Sequence, residues 1–198
     1  MTTKATRLAA IATEVEGLTE SPLYEFRTQN NYQIVFGAGD ADAEIVLIGE
    51  APGKWEAQQG LPFVGASGRV LDEFLADAGL TRDEIYITNV VKDRPPDNRD
   101  PSKAEIALYS PFLLRQLEVI QPKVIATLGR FAMDFVFEMF DMDAKGSKIS
   151  QVHGQRFTAQ TSFGAVTVIP LYHPAVSLYN QSQKETLRAD FLAVTRER

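Results

Sequence analysis

Residues 44–53 read EIVLIGEAPG, a short apolar run that leads directly into a turn with two glycines, a glutamate and a proline. An apolar run of this length, rich in β-branched residues and without polar alternation, is typical of a strand buried on both faces of a parallel sheet. We therefore predict a strand over residues 44–48. Three other segments have the same character and are also predicted as strands, namely residues 84–89, 123–128 and 166–171.

Segments with helical periodicity separate these strands. Apolar residues recur at helical spacing in residues 70–78 and again in residues 106–120. Gly79 follows the first of these helices as a C-terminal cap, and Ser102 with Glu105 three residues later marks the start of the second. The remaining predicted segments are two helices, 129–140 and 183–198, and an exposed polar connection, 141–150.

The alternation of strands and helices predicts an α/β fold with right-handed crossovers. The expected architecture is a three-layer α/β/α sandwich with a central four-stranded parallel sheet. A length of 198 residues and an apolar content of 44% fit one core. We therefore expect a single domain over residues 1–198.

Composition excludes several classes of chemistry. The chain contains no cysteine, which excludes disulfides, thiolate catalysis and iron–sulfur clusters. The net charge of −6 argues against a strong nonspecific grip on nucleic-acid phosphates, although a local basic patch remains compatible with it. No apolar run approaches the roughly 20 residues of a membrane span, and no signal peptide is evident. We expect a cytoplasmic protein without a membrane partner.

The unusual residues follow the predicted strands. Ligands of open parallel sheets bind at the carboxyl ends of the strands, where the connecting loops converge. The loops expected at this rim are GEAPG (residues 49–53), NVVK (residues 89–92), Gly129 and YHP (residues 172–174). Glycines and polar side chains therefore meet at one edge of the sheet, which predicts a ligand site there.

Each candidate residue in the first loops also has a structural interpretation. Glu50 can cap a turn, but a carboxylate between glycines directly after a buried strand favours a functional role. Gly49 and Gly53 can serve tight turns, and their amides can also approach the carbonyl groups of a nucleobase. Phe63 lies in the irregular segment GLPFVG, where an aromatic ring either packs or supplies a stacking face for a base.

Two further side chains at the predicted rim have useful hydrogen-bonding groups. The Asn89 amide matches the O4 acceptor and the N3–H donor of uracil, and its alternative role is to cap a turn. His173 can donate to an oxygen that gains negative charge. His153 is expected to be a solvated surface residue. With two histidines and no further ligand spacing, no metal site is predicted.

Three motifs resemble those of the family-four uracil-DNA glycosylases, in order along nearly the whole chain. They are GEAPGKWEAQQGLPFVGASGRVLDEFL (residues 49–75), TNVVKDRPPDNRDP (residues 88–101) and HPAVSLYN (residues 173–180). The resemblance implies a parallel sheet between helices and removal of uracil from DNA. It predicts that the protein binds uracil-containing DNA and releases free uracil. We also expect a monomer and, because the chain has no cysteine, no cofactor.

The resemblance also implies a role for each candidate residue. Glu50, Glu56 and His173 are the expected catalytic residues, the two glutamates acting on the water and His173 on uracil O2. The expected uracil-binding residues are Gly49, Ala51, Gly53, Phe63 and Asn89. The expected DNA-binding residues are Lys92, Pro174, Ser177, Leu178 and Tyr179, with Leu178 as the wedge that enters the minor groove.

The chain departs from this family at several positions. Four cysteines of the family ligate an iron–sulfur cluster, and the residues at these positions are Leu18, Ser21, Asp93 and Leu108. We expect ordinary packing to stabilise this region instead. Ala57 replaces a frequent aspartate, and Tyr179 replaces a frequent arginine. Two alternatives therefore remain open, a base-binding module that has lost hydrolysis and a glycosylase for another deaminated base such as hypoxanthine or xanthine.

Overall fold

The structure is a computed structural model that describes residues 2–195. Within this range the chain forms one six-stranded sheet in the order β1-β3-β2-β4-β6-β5. The strands are β1 Ala38–Gly39, β2 Ile45–Gly49, β3 Tyr86–Asn89, β4 Val124–Leu128, β5 Phe157–Thr161 and β6 Gly164–Leu171. The helices are α1 Lys4–Glu16, α2 Tyr24–Gln29, α3 Lys54–Gln59, α4 Ala66–Asp77, α5 Lys103–Ile120, α6 Arg130–Met139, α7 Ile149–Val152 and α8 Gln181–Thr195.

The four predicted strands are confirmed as the parallel centre of the sheet, β3-β2-β4-β6. Two antiparallel edge strands were not predicted. β1 has two residues, and β5 returns alongside β6 as a hairpin. The apolar-run criterion selects strands that are buried on both faces, whereas β5 reads FTAQT and has a single buried residue, Ala159.

Side chains of the central strands alternate between two helical layers. Val46 and Ile48 pack in the core that includes α1, α5 and α6. Ile45 and Leu47 point to the other face, where α4 and α8 cover the sheet. The predicted three-layer α/β/α sandwich is therefore confirmed.

Local signals fix most helix ends as expected. Ser102 accepts from the Glu105 amide and the Glu105 carboxylate accepts from the Ser102 amide, which forms the predicted capping box of α5. Gly79 has φ +72° directly after α4. The last helix ends at Thr195, and residues 196–198 of the predicted helix lie outside the described residues. The predicted polar connection is wrong in part, because Met142 is buried in the core.

A buried polar network includes two of the four positions at which the family has cluster-binding cysteines, Ser21 and Asp93. Tyr109 donates to Asp93 (2.5 Å), and its hydroxyl lies 2.8 Å from that of Ser21. The Arg27 guanidinium completes the network at 3.3 Å from Asp93, inside the protein. Burial raises the pKa of Asp93, against the lowering effects of the Tyr109 hydrogen bond and the Arg27 charge.

This network corrects the expectation of ordinary packing. Leu18 and Leu108 do pack against the core, but Ser21 and Asp93 are held by hydrogen bonds and charge. Two leucines offer no metal ligand, and the oxygen atoms of the other two side chains are already bonded. The residues present therefore do not fit an iron–sulfur cluster.

We expect Asp93→Asn to lower the free energy of unfolding by about 3 kcal/mol, because it leaves the buried Arg27 guanidinium without a counter-charge. Tyr109→Phe should cost about 1–3 kcal/mol through the lost hydrogen bond. Urea denaturation measures both changes. The control is Glu14→Gln, which breaks an exposed pair with Arg115 and should leave the midpoint unchanged. If Asp93→Asn kept the free energy of unfolding of the wild type, Asp93 would not be the counter-charge that stabilises buried Arg27.

Candidate active site

A cleft of about 390 Å³ opens at the carboxyl edge of the parallel strands. Its walls come from the ends of β2, β3 and β6, from the loop between α3 and α4, and from the segment before α5. The lining residues are Glu50, Ala51, Pro52, Gly53, Glu56, Phe63, Ser67, Asn89, Pro95, Asn98, Arg99, His173 and Ala175. The cleft thus lies at the rim where the sequence predicts a ligand site.

Asn89 ends β3 with its side chain in the cleft. Asn89 is 2% exposed, and no other group within residues 2–195 forms a hydrogen bond with its side-chain amide. Gly49 lies beside it on β2, and a Cβ there would come within 2.3 Å of Asn89 Oδ1 and 2.9 Å of the Phe63 ring. Gly49 therefore keeps open the space in which an amide and an aromatic face converge.

The Phe63 ring forms one wall of the cleft. Its backbone has φ +53°, a left-handed conformation that is uncommon for a residue with a Cβ. Its ring centroid is 5.8 Å from that of His173, at an interplanar angle of 31°. The ring is mostly buried, and its place in the lining leaves a flat surface available to a planar ligand.

His173 follows β6 and presents a hydrogen-bond donor to the cleft. The Ala175 amide donates to His173 Nδ1 at 3.2 Å, so the proton of the neutral ring is on Nε2. Burial lowers the pKa of His173, against an opposite effect of the Glu56 charge. Gly129 has φ +96°, and a Cβ there would approach the His173 Cβ at 3.2 Å. Gly129 therefore leaves room for the imidazole, which is a neutral donor through Nε2–H.

Glu50 follows β2 and is half-buried at the floor of the cleft. Burial raises the pKa of Glu50 to about 7, Asp100 adds to the rise, and Arg130 opposes it. The described residues supply no hydrogen bond to its carboxyl group. Apolar side chains of Ile106 and Phe131 lie in a small crevice next to it. Such a carboxyl group is suited to accept a proton near neutral pH.

Glu56 lines the same cleft but is engaged by the backbone. Its Oε1 accepts from the Val64 amide (3.0 Å) and the Gly65 amide (2.9 Å). It therefore fixes the loop after Phe63 at the start of α4. Of the two candidate carboxylates, Glu50 is the one that accepts no side-chain hydrogen bond from residues 2–195. Ala51 and Gly53 lie in the lining between them.

The expected contact of Lys92 with DNA is corrected by the burial of its side chain. Lys92 is completely buried, and its Nζ donates to Thr88 Oγ1, the Asn89 carbonyl and Gln116 Oε1. Burial also places its pKa well below the ordinary value. Lys92 therefore supports the end of β3 from inside and cannot reach a phosphate.

The turn Pro174–Leu178 contains both buried and exposed residues. Pro174 and Ser177 are buried, and the Ser177 hydroxyl donates to the Pro174 carbonyl, which holds the shape of the turn. Leu178 and Tyr179 are 44% and 91% exposed. These two side chains form a surface that a DNA groove can meet.

Other residues near the site were missed or misread from the sequence. Asn98 and Arg99 line the cleft, with Asp97 and Asn98 both left-handed at φ +54° and +53°. Both residues belong to the motif TNVVKDRPPDNRDP, but no local sequence pattern indicates that this segment reaches the rim. His153 is not simply solvated, since its Nδ1 lies 2.8 Å from Asp190. Ala57 is fully buried and does not line the cleft.

The arrangement combines an aromatic face, a free amide, a neutral N–H donor and a carboxyl group of raised pKa. It is suited to hold a planar heterocycle and to stabilise negative charge on one of its oxygens. No three histidine or acidic side chains between residues 2 and 195 are grouped to hold a metal ion. No helix in the described part of the chain is long and apolar enough to cross a membrane.

Comparison with known proteins gives the family. A model described as the uracil DNA glycosylase superfamily matches residues 36–195. The Type-4 uracil-DNA glycosylase of Archaeoglobus fulgidus is 47% identical over 165 residues, 83% of this chain and 81% of that protein. The Type-4 enzyme of Sulfurisphaera tokodaii is 42% identical, covering 96% and 87%, and that of Thermotoga maritima is 39% identical, covering 93% and 90%. This chain belongs to the uracil DNA glycosylase superfamily.

Proposed function

We propose that this protein hydrolyses the N-glycosidic bond between uracil and deoxyribose in DNA. One observation carries the proposal: the Asn89 amide, the Phe63 ring and His173 line the same cleft, and the described residues leave that amide without a partner. The names of the similar proteins, Type-4 uracil-DNA glycosylases, support the same reaction.

Asn89 and Phe63 select the base. A flipped uracil stacks on Phe63, while the Asn89 NH₂ donates to O4 and its carbonyl oxygen accepts from N3–H. Cytosine has an amino group at position 4 and no N3–H, so the same amide would meet a donor with a donor. Gly49 permits this close approach because it has no side chain.

His173 stabilises the leaving group. As the C1′–N1 bond breaks, its electron pair moves onto the base and negative charge develops at O2. A neutral Nε2–H, fixed by the Ala175 amide at Nδ1, donates to that oxygen without a change in protonation. The lowered pKa keeps the ring neutral at physiological pH.

Glu50 acts on the sugar side. Its carboxylate orients a water molecule toward C1′, favours the cationic sugar and accepts a proton as the water oxygen bonds to C1′. Glu56 supports the reaction indirectly through the Phe63 loop, because its Oε1 is occupied by two backbone amides.

Several properties extend the proposal. Uracil-containing DNA is the substrate and free uracil the product, with Leu178 and Tyr179 inserted beside the vacated position. We also propose a monomer with a single domain over residues 1–198, located in the cytoplasm. Because Ala57 is buried away from the cleft, its difference from the family motif removes no cleft group.

We expect His173→Ala and Asn89→Ala each to lower the rate of uracil release about 100-fold or more, since each removes a group used in the transition state. Single-turnover release from an oligonucleotide with one deoxyuridine measures the change. His153→Ala is the control, because that ring faces Asp190 and not the cleft. Near-normal rates in both variants would refute the scheme. Uracil binding by a folded wild-type protein without release would indicate the binding module, and release of hypoxanthine or xanthine instead would indicate another lesion.

The rate should rise with pH through about 7, because Glu50 must lose its proton to act and its pKa is about 7. Single-turnover rates between about pH 5 and about pH 9 give the profile. In Glu50→Gln the overall rate should fall and this limb should vanish. Any remaining limb should lie lower, where His173 titrates. An unchanged limb in Glu50→Gln would assign it to another group.

Leu178→Ala and Tyr179→Ala should lower the rate more on duplex than on single-stranded DNA, because a wedge is needed only where a base must leave a stack. The ratio of the two rates is the measurement. Leu192→Ala is the control, since Leu192 is a similarly exposed leucine on α8. An equal fall on both substrates would exclude a wedge.

A further inference from the structure

The loop that carries Phe63 is strained and needs external support. The Phe63 backbone has φ +53°, which costs about 1–2 kcal/mol for a residue with a side chain. Such a conformation persists only where neighbouring contacts fix it. The contacts of this loop therefore decide where the Phe63 ring lies.

Arg82 holds the carbonyl side of the loop. It lies after α4, and its Nη1 donates to the Pro62 carbonyl at 3.0 Å and its Nη2 to the Phe63 carbonyl at 2.5 Å. Its Nε donates to Asp72 Oδ1 at 2.6 Å, which fixes the guanidinium plane. A planar fork suits two adjacent carbonyls better than a single ammonium does.

The opposite side of the loop is held by a charge of the other sign. Glu56 accepts from the Val64 and Gly65 amides, directly after the carbonyls that Arg82 binds. Helix α4 packs directly against the Phe63 carbonyl group, since a Cβ at Gly68 would lie only 1.8 Å from the carbonyl oxygen. The two charged groups thus match the polarity of the backbone on each side of the ring.

We propose that Arg82 is a positioning residue that sets the Phe63 ring as the platform for uracil. Arg82 does not line the cleft, so it acts through the Phe63 backbone rather than on the substrate. The inference rests on the proposed function because it takes Phe63 as the surface on which the base stacks. Without the guanidinium, the Phe63 backbone leaves the left-handed region and the ring turns away from the base.

The test combines Arg82→Gln with Phe63→Ala. Single-turnover uracil release should fall about tenfold in Arg82→Gln, with little further fall when the same change is made in the Phe63→Ala protein. Arg82→Lys should retain an intermediate rate, because an ammonium reaches one carbonyl. Affinity for uracil-free duplex should not change. Arg115→Gln is the matched control, since it removes the same charge from an exposed pair with Glu14.

Hydrogen exchange gives a readout that does not need activity. The Val64 and Gly65 amides should exchange faster in Arg82→Gln, at an unchanged urea midpoint, because the loop opens locally. A tenfold fall that persists in the Phe63→Ala background, or unchanged exchange at both amides, would overturn the proposal. If the wild-type protein released no uracil, the proposed function would fail, whereas the exchange rates would still decide whether Arg82 fixes the loop.

Discussion

The parallel pairing of β2 with β3 is the interaction on which the site depends. It places Gly49 beside Asn89, so that the end of one strand supplies the space and the end of the other supplies the amide. Backbone hydrogen bonds in the sheet determine which residue of β3 lies beside each residue of β2. Shifting β3 by one position would direct Thr88 toward the cleft and turn the recognition group into the core.

Burial acts on the two reactive groups in opposite directions. It raises the pKa of Glu50 and lowers the pKa of His173, which in each case favours the uncharged form. His173 therefore adds no fixed cation to the cleft, and Arg99, the arginine in the lining, is paired with Glu105. The net charge of −6 likewise provides no bulk attraction for a polyanion.

The sequence predicted the elements with the strongest local signals. Apolar runs identified the four central strands, and their common edge brought Glu50, Asn89 and His173 to one rim. Long-range contacts could not be predicted in this way. Lys92 was expected to contact DNA, but its side chain turns inward to Thr88 and Gln116. Glu56 accepts hydrogen bonds from backbone amides whereas Glu50 is left to the cleft, and this difference depends on loop geometry that no local sequence pattern contains.

The network of Arg27, Asp93, Tyr109 and Ser21 has a consequence for assembly of the protein. The network consists only of side chains of this chain, so the region forms without an inorganic precursor or a delivery system. A chain without cysteine also offers no site for disulfide exchange or thiol oxidation, which leaves its four methionines as the residues with an oxidisable sulfur. Folding of this region therefore requires neither iron nor reduced thiols.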